Sequence, residues 1–121
     1  MYSVIVESNF KASHQLRFAD GSVEPLHLHN WLVTAELSSE NLNNIGLVID
    51  FNELKTHLQD ITAEFVDKNL DQTPYFSKTN PSAENVARYI YEKLEQKLEK
   101  PVHLDSVTVV EQAGCAGKFR R

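Results

Sequence analysis

The first third of the chain contains two stretches in which apolar and polar residues alternate. In residues 2–9 one side of the alternation is Tyr2, Val4 and Val6, and in residues 27–37 apolar side chains again recur at every second position. A period of two is typical of a β-strand with one buried face. Residues 16–26 between them contain Asp-Gly and Pro and predict a loop. The two strands can therefore pair as an antiparallel hairpin with a long connection.

The middle of the chain has the spacing of two amphipathic helices, because apolar residues recur three or four positions apart. The first helix begins near residue 50, where Asp50 or Asn52 can cap it. The second begins at Pro81-Ser82 and ends before Pro101, which cannot continue a helix. The apolar positions are Leu54, Leu58, Ile61 and Phe65 in the first helix and Val86, Ile90, Leu94 and Leu98 in the second.

Residues 102–111 carry Val107, Val109 and Val110 and predict a final strand or pair of strands. The order of two strands, two helices and one or two strands predicts an α+β fold, with an antiparallel sheet and the helices on one face. No repeat or linker divides the chain, so we expect a single domain over residues 1–121. A sheet this small has open edges, which assembly with other subunits would cover.

Composition narrows the classes of function. Hydrophobic residues make up 41% of the chain and charged residues 24%, the balance of a globular protein. The net charge of −5 argues against a nucleic-acid partner, and the one basic cluster (Lys118, Arg120 and Arg121) is interpreted as a solvated terminus. We expect no signal peptide, because residues 1–7 lack the basic region and long apolar stretch of one, and no apolar run is long enough to span a membrane. Its single cysteine, Cys115, fits a reducing cytoplasm, so we expect a cytoplasmic protein without a membrane partner.

Three histidines form the candidate chemical site. His27 and His29 are two residues apart, so on a strand both imidazoles point to the same face. His14 lies near the end of the first strand, and a hairpin would bring it back beside the pair. Three histidines with no cysteine nearby suit a catalytic zinc site with one open coordination position. The spacing by itself also fits two half-exposed polar residues on a strand.

Five short motifs follow one another along nearly the whole chain. They are Phe10-x-Ala12-x-His14-x-Leu16, His27-x-His29-Asn30-Trp31, Gly46-x-Val48-x-Asp50-Phe51, Pro81-Ser82-Ala83-Glu84-Asn85 and Val109-Val110-Glu111. In their shared order and spacing the chain resembles the 6-pyruvoyl-tetrahydropterin synthase family, which includes bacterial 6-carboxy-tetrahydropterin synthase.

The resemblance implies the tunnelling fold, in which a four-stranded antiparallel sheet and two helices, in the order ββααββ, join other subunits into barrels, commonly a hexamer of two trimers. It also implies an enzyme that acts on 7,8-dihydroneopterin triphosphate at sites between subunits. His14, His27 and His29 match the Zn²⁺ ligands, and Glu111 matches the residue that anchors the reduced pterin. A carboxylate suits that role because it can accept two parallel hydrogen bonds from the pterin's 2-amino and ring N–H groups.

The catalytic positions depart from the usual pattern of the family. Val23 stands where most members carry a cysteine, four residues before His27. Glu24 follows it, and Glu-x-x-His-x-His resembles a branch in which glutamate takes the place of the cysteine. That branch releases the side chain and leaves 6-hydroxymethyl-7,8-dihydropterin, a folate precursor. The implied chemistry is a zinc ion that favours deprotonation of the side-chain hydroxyls, with Glu24 as general base and acid.

This chain also departs from the family's usual proton relay. Asp67 keeps its place by resemblance, but Lys68 replaces the histidine that normally follows, and Leu28 replaces the glycine between the paired histidines. Lysine can stabilise a negative oxygen but carries protons poorly near neutral pH.

Three alternatives to the lyase stay open. They are a 6-carboxy-tetrahydropterin synthase of queuosine-type biosynthesis, a zinc- and pterin-binding paralogue without turnover, and a structural oligomer without metal.

Overall fold

Four antiparallel strands form one sheet, and they are ordered in space as they are along the chain. The computed structural model describes residues 1–121. Two helices follow the second strand, which confirms the predicted α+β class and the order ββααββ. The elements are β1 (Tyr2–His14), β2 (His27–Ser39), α1 (Phe51–Thr62), a short 3-10 helix (Leu70–Gln72), α2 (Ala83–Glu95), β3 (His103–Gln112) and β4 (Cys115–Phe119).

The first strand is five residues longer than its alternation predicts. β1 pairs with β2 without interruption from Tyr2 opposite Ser39 to His14 opposite His27. Phe10, Ala12 and His14 are all buried, so the period of two continues to the end of the strand. The prediction stopped too early because Ser8 interrupts the apolar series and the last buried position holds a histidine.

The basic C-terminal segment is not a free terminus. A turn at Gly114, whose φ is +82°, leads into β4, which pairs with β3 and contains Lys118. Arg121 then forms an ion pair with Glu95 at 3.2 Å and lies over an aromatic ring of α2. The basic side chains are exposed, as the interpretation of a solvated terminus requires, but the sequence did not predict the strand that contains Lys118. Small residues in β4 give it little β-propensity, which hid it in the sequence.

The helices pack their apolar faces on one side of the sheet and enclose the core. Asp50 caps α1 by accepting hydrogen bonds from its first turn, and Ser82 caps α2 in the same way. α1 ends at Thr62, so Phe65 lies beyond the helix, yet it is fully buried against Phe10. Neither helix has the length and apolar character needed to cross a membrane.

Candidate metal centre and its surroundings

The pairing of β1 with β2 brings the three predicted histidines together. His14 lies directly opposite His27, and Ala12 lies opposite His29. The ring centroid of His14 is 5.2 Å from that of His29 and 6.2 Å from that of His27. The two rings of the His-x-His pair are 5.7 Å apart and nearly parallel. The hairpin therefore places three imidazole rings with their centroids within 6.2 Å of one another at the end of the sheet.

His14 is prepared to bind a metal through one specific nitrogen. Its side chain is only 1% exposed, and its Nδ1 lies 2.8 Å from the backbone oxygen of Pro81. Nδ1–H donates this hydrogen bond, because a carbonyl can only accept, and the neutral ring then carries its lone pair on Nε2. That Nε2 is buried and makes no hydrogen bond, although Oε2 of Glu111 lies 3.3 Å away. Buried polar atoms without partners are rare, whereas metal-bound histidines usually donate their second nitrogen to a carbonyl in this way.

Trp31 packs against the imidazoles of His14 and His29. Its indole is fully buried, and Nε1–H donates to the carbonyl of Ala12 at 3.0 Å. The indole meets the His14 ring edge-on with centroids 4.7 Å apart, and it meets His29 at 6.0 Å. Its other side stacks on Phe10 at 5.9 Å. Rings fixed by such packing lose little freedom when they bind a ligand.

Glu111 completes a cluster of possible metal ligands. It lies near the end of β3, and its Oε2 is 3.3 Å from Nε2 of His14. One donor atom each from His14, His29 and Glu111 lie within 4.8 Å of one another. Burial lowers the pKa of the His29 imidazole, which favours the neutral form that can bind a metal. His27 lies beside this cluster and is more exposed. Imidazole and carboxylate donors together suit zinc.

Glu24 belongs to the loop between β1 and β2, and its carboxylate lies between the backbone of Leu16 and the ring of His27. Its Oε1 accepts a hydrogen bond from the backbone N–H of Leu16 at 3.0 Å, and its Oε2 lies 3.9 Å from Nε2 of His27. The backbone of Glu24 is fixed too, because its N–H donates to the Leu16 carbonyl and its own carbonyl accepts from Gln15 Nε2. The loop therefore aims one carboxylate oxygen at the histidine cluster.

Known proteins are similar to this chain in both sequence and fold. The sequence profile of the family described as 6-pyruvoyl tetrahydropterin synthase matches residues 3–121. The chain belongs to this family. A protein named 6-carboxy-5,6,7,8-tetrahydropterin synthase, from Synechocystis, is 28% identical over 98% of this chain and 93% of its own length. A putative 6-pyruvoyl tetrahydrobiopterin synthase from Caenorhabditis elegans is 35% identical over 70% of this chain and 61% of its own length.

Solved structures of the synthase family confirm the tunnelling fold of the subunit. The 6-pyruvoyl tetrahydropterin synthase of Caenorhabditis elegans superposes with a TM-score of 0.85 and 26% identity, covering 100% of this chain and 97% of that one. The Plasmodium vivax 6-pyruvoyltetrahydropterin synthase superposes with a TM-score of 0.77 and 20% identity, covering 99% of this chain and 97% of that one. That structure is a mutant in which a catalytic glutamate is replaced by alanine.

The two positions of the family's proton relay, Asp67, which keeps its place by resemblance, and Lys68, which replaces the histidine, lie alongside the end of β1. Asp67 has a φ of +58° and donates its backbone N–H to the carbonyl of Lys11, while the carbonyl of Lys68 accepts from the N–H of Ser13. Both side chains are exposed, and neither makes a hydrogen bond or ion pair. The contacts of these two residues are thus made by their backbone, and the relay stays a prediction.

Two groups near the synthase site were missed in the sequence. The Pro81 carbonyl binds His14 across 67 residues of chain, and no periodicity or motif links these positions. Asp71 lies in the short 3-10 helix and accepts the N–H of Gln15 on Oδ1, while its Oδ2 is buried without a partner. Asp71 directly follows residues 66–70, where the sequence analysis placed the relay. That analysis did not predict the contact between Asp71 and Gln15.

Proposed function

We propose that the protein is a zinc-dependent lyase that acts on the side chain of 7,8-dihydroneopterin triphosphate and releases 6-hydroxymethyl-7,8-dihydropterin. The observation that carries this proposal is the position of Glu24, which points one carboxylate oxygen toward His27 while the backbone of Leu16 holds the other. Membership of the synthase family supports an enzyme that acts on a pterin.

In this proposal His14, His27 and His29 hold the zinc ion. The buried Nε2 of His14 and the lowered pKa of His29 support two members of this set, because a metal needs neutral imidazole nitrogens. His27 is included because it matches the family's ligand position and lies beside the other two rings. A bound zinc ion would supply Lewis-acid polarisation of the hydroxyls on the pterin side chain. Pro81 keeps the proton of His14 on Nδ1 and so keeps Nε2 available for the ion.

Glu24 is the proposed general base and acid. Its Oε2 makes no hydrogen bond within the chain, so it can take a proton from a side-chain hydroxyl and return it after the carbon–carbon bond breaks. This role does not need the cysteine that Val23 replaces. The Plasmodium vivax protein provides a precedent for a catalytic glutamate on the same fold.

Glu111 is the proposed anchor for the pterin ring. It is partly buried and faces the histidines from β3, where a carboxylate can accept two hydrogen bonds from a donor edge. The 3.3 Å distance to His14 Nε2 also suits a metal ligand. We therefore include Glu111→Gln in the test below, because anchor and ligand predict different losses.

The oligomer is proposed to be a hexamer of two trimers. β1 and β4 are open edges of the sheet, and such edges are usually covered in stable proteins. Tyr2 and Ile5 are exposed on β1, with 51% and 59% of their surfaces accessible. Sedimentation velocity at several concentrations distinguishes hexamer, trimer and monomer.

The test is incubation of the zinc-loaded protein with 7,8-dihydroneopterin triphosphate and identification of the products by mass. We expect 6-hydroxymethyl-7,8-dihydropterin. Glu24→Gln should lower kcat by a factor on the order of 10²–10⁴ and keep its zinc, because only the proton-transfer group is lost. Glu40→Gln, an exposed glutamate between β2 and α1, is the matched control and should behave as the wild type. Glu111→Gln should weaken pterin binding and retain zinc, whereas loss of zinc would make Glu111 a ligand.

A second candidate is a 6-carboxy-tetrahydropterin synthase, which the full-length similarity to the Synechocystis protein favours. The same incubation separates the candidates, because 6-carboxy-tetrahydropterin as product would replace the lyase assignment. Pterin binding with no product at any protein concentration would indicate a paralogue without turnover. A preparation that binds neither zinc nor pterin would indicate a structural oligomer.

A further inference from the structure

The side-chain amide of Asn80 pairs with the backbone of the loop that carries Glu24. The backbone N–H of Arg17 donates to Oδ1 of Asn80 at 2.9 Å, and Nδ2 of Asn80 donates to the backbone carbonyl of Arg17 at 2.9 Å. A neighbouring β-strand pairs with a residue in this way, through one donor and one acceptor. Asn80 therefore replaces a strand partner at a point where the sheet has ended.

The connection is reinforced on both sides. The guanidinium of Arg17 donates to the carbonyls of Phe76 and Ser77, at 2.7 and 3.0 Å. The carbonyl of Asn80 in turn accepts Nδ2 of Asn85, in the first turn of α2, at 2.9 Å. The loop is thus tied to the segment that precedes α2 and, through it, to the helix.

The same short segment also holds a proposed metal ligand. Pro81, directly after Asn80, accepts the hydrogen bond from His14 Nδ1. Leu16, directly before Arg17, donates its N–H to the carboxylate of Glu24. Pro81 therefore fixes the imidazole of His14. The preceding residue, Asn80, holds Arg17, whose neighbour Leu16 binds the carboxylate of Glu24.

We infer that Asn80 is a positioning residue that sets the distance between the Glu24 carboxylate and the histidine cluster. This inference rests on the proposed role of Glu24. Without the Asn80 amide, Arg17 keeps its backbone pairing with Val23 inside the loop, but that pairing does not connect the loop to α2. The guanidinium of Arg17 still reaches the carbonyls of Phe76 and Ser77, and Asp71 still holds the N–H of Gln15. Neither contact fixes the backbone of Arg17, which can then shift together with Leu16. Misplacement of a catalytic group by about 1 Å can reduce the rate on the order of 100-fold.

The test compares Asn80→Ala with Asn44→Ala, an exposed asparagine whose side chain makes no hydrogen bond. In the zinc-loaded protein we expect Asn80→Ala to lower kcat by about 10- to 100-fold, with KM and zinc content close to the wild-type values. Hydrogen exchange of peptides covering residues 15–26, followed by mass spectrometry, should be faster by roughly fivefold or more. Asn44→Ala should change neither kcat nor exchange. Asn80→Asp, which keeps the acceptor for Arg17 N–H but loses the donor, should be intermediate and serves if Asn80→Ala does not fold.

A second background separates positioning from general destabilisation. Combined with Glu24→Gln, Asn80→Ala should cause little further loss of kcat, because its effect acts through Glu24. A full additional loss in that background would overturn the inference, and so would unchanged exchange of residues 15–26. If the wild type does not convert the pterin, the proposed function fails on this substrate. The exchange experiment still decides whether Asn80 fastens the loop.

Discussion

Replacing Gly117 by alanine tests how closely β4 and α2 are packed. A methyl group at Gly117 would lie 2.6 Å from the backbone nitrogen of Glu84 and 2.7 Å from the carbonyl carbon of Ala83. Ordinary contacts of this kind are about 3.5–4.0 Å. The helix would have to move away by about 1 Å, and no flexible side chain can yield instead, because both atoms belong to the backbone.

The expected cost follows from two opposing effects. Gly117 does not have a positive φ, so alanine fits the backbone and should stabilise the fold by about 0.4–1 kcal/mol through the unfolded state. Overpacking against a backbone costs about 1–3 kcal/mol, and the upper part of that range applies to a displaced helix. We therefore expect Gly117→Ala to lower the free energy of unfolding by about 1–2 kcal/mol.

Urea unfolding at a fixed protein concentration measures this change as a lower midpoint with an unchanged slope. Ala116→Ser, at the exposed neighbouring position, is the control and should stay within about 0.5 kcal/mol of the wild type. An equally stable or more stable Gly117→Ala protein would refute the packing argument.

Because the first turn of α2 follows Pro81, we also expect the Gly117→Ala protein to bind zinc more weakly, by roughly 10-fold. Unchanged affinity in a chelator competition would disprove the link from β4 to His14.

Two further predictions concern zinc and a buried phenol. Zinc at 100 times its dissociation constant should raise the free energy of unfolding by about 2.7 kcal/mol, and His14→Gln should abolish this gain in a thermal melt. Tyr89→Phe removes the hydrogen bond from the Tyr89 hydroxyl to the Glu64 carboxylate and should cost about 1 kcal/mol in urea unfolding at pH 7. Burial first, and Glu64 second, raise the pKa of Tyr89 above its ordinary 10.0, so the stability due to the protonated phenol is fully present below pH 10.0 and is lost above it. The difference between wild type and Tyr89→Phe should therefore shrink above pH 10.0, and a constant difference would contradict this assignment.

The sequence predicted those parts of the fold that depend on local periodicity. Alternation identified β1 and β2, and the three-to-four spacing identified both helices, because a buried face repeats with the period of its element. The boundaries were less accurate. α2 ends at Glu95 although the apolar spacing continues to Leu98, and β1 extends to a buried histidine. Periodicity does not show where a helix or strand stops when tertiary contacts bury the residues beyond it.

The sequence by itself determined the fold class and the family and supplied the candidate metal ligands, because each depends on residue types at short spacings. Only the tertiary structure decided what surrounds them. The hydrogen bond from His14 to Pro81 spans 67 residues, and the amide of Asn80 meets Arg17 across 63. Such contacts form only after the sheet and α2 have packed together, and a backbone carbonyl carries no signature in the sequence. The strand pairing placed three imidazoles together, and the approach of α2 selected which nitrogen of His14 is available.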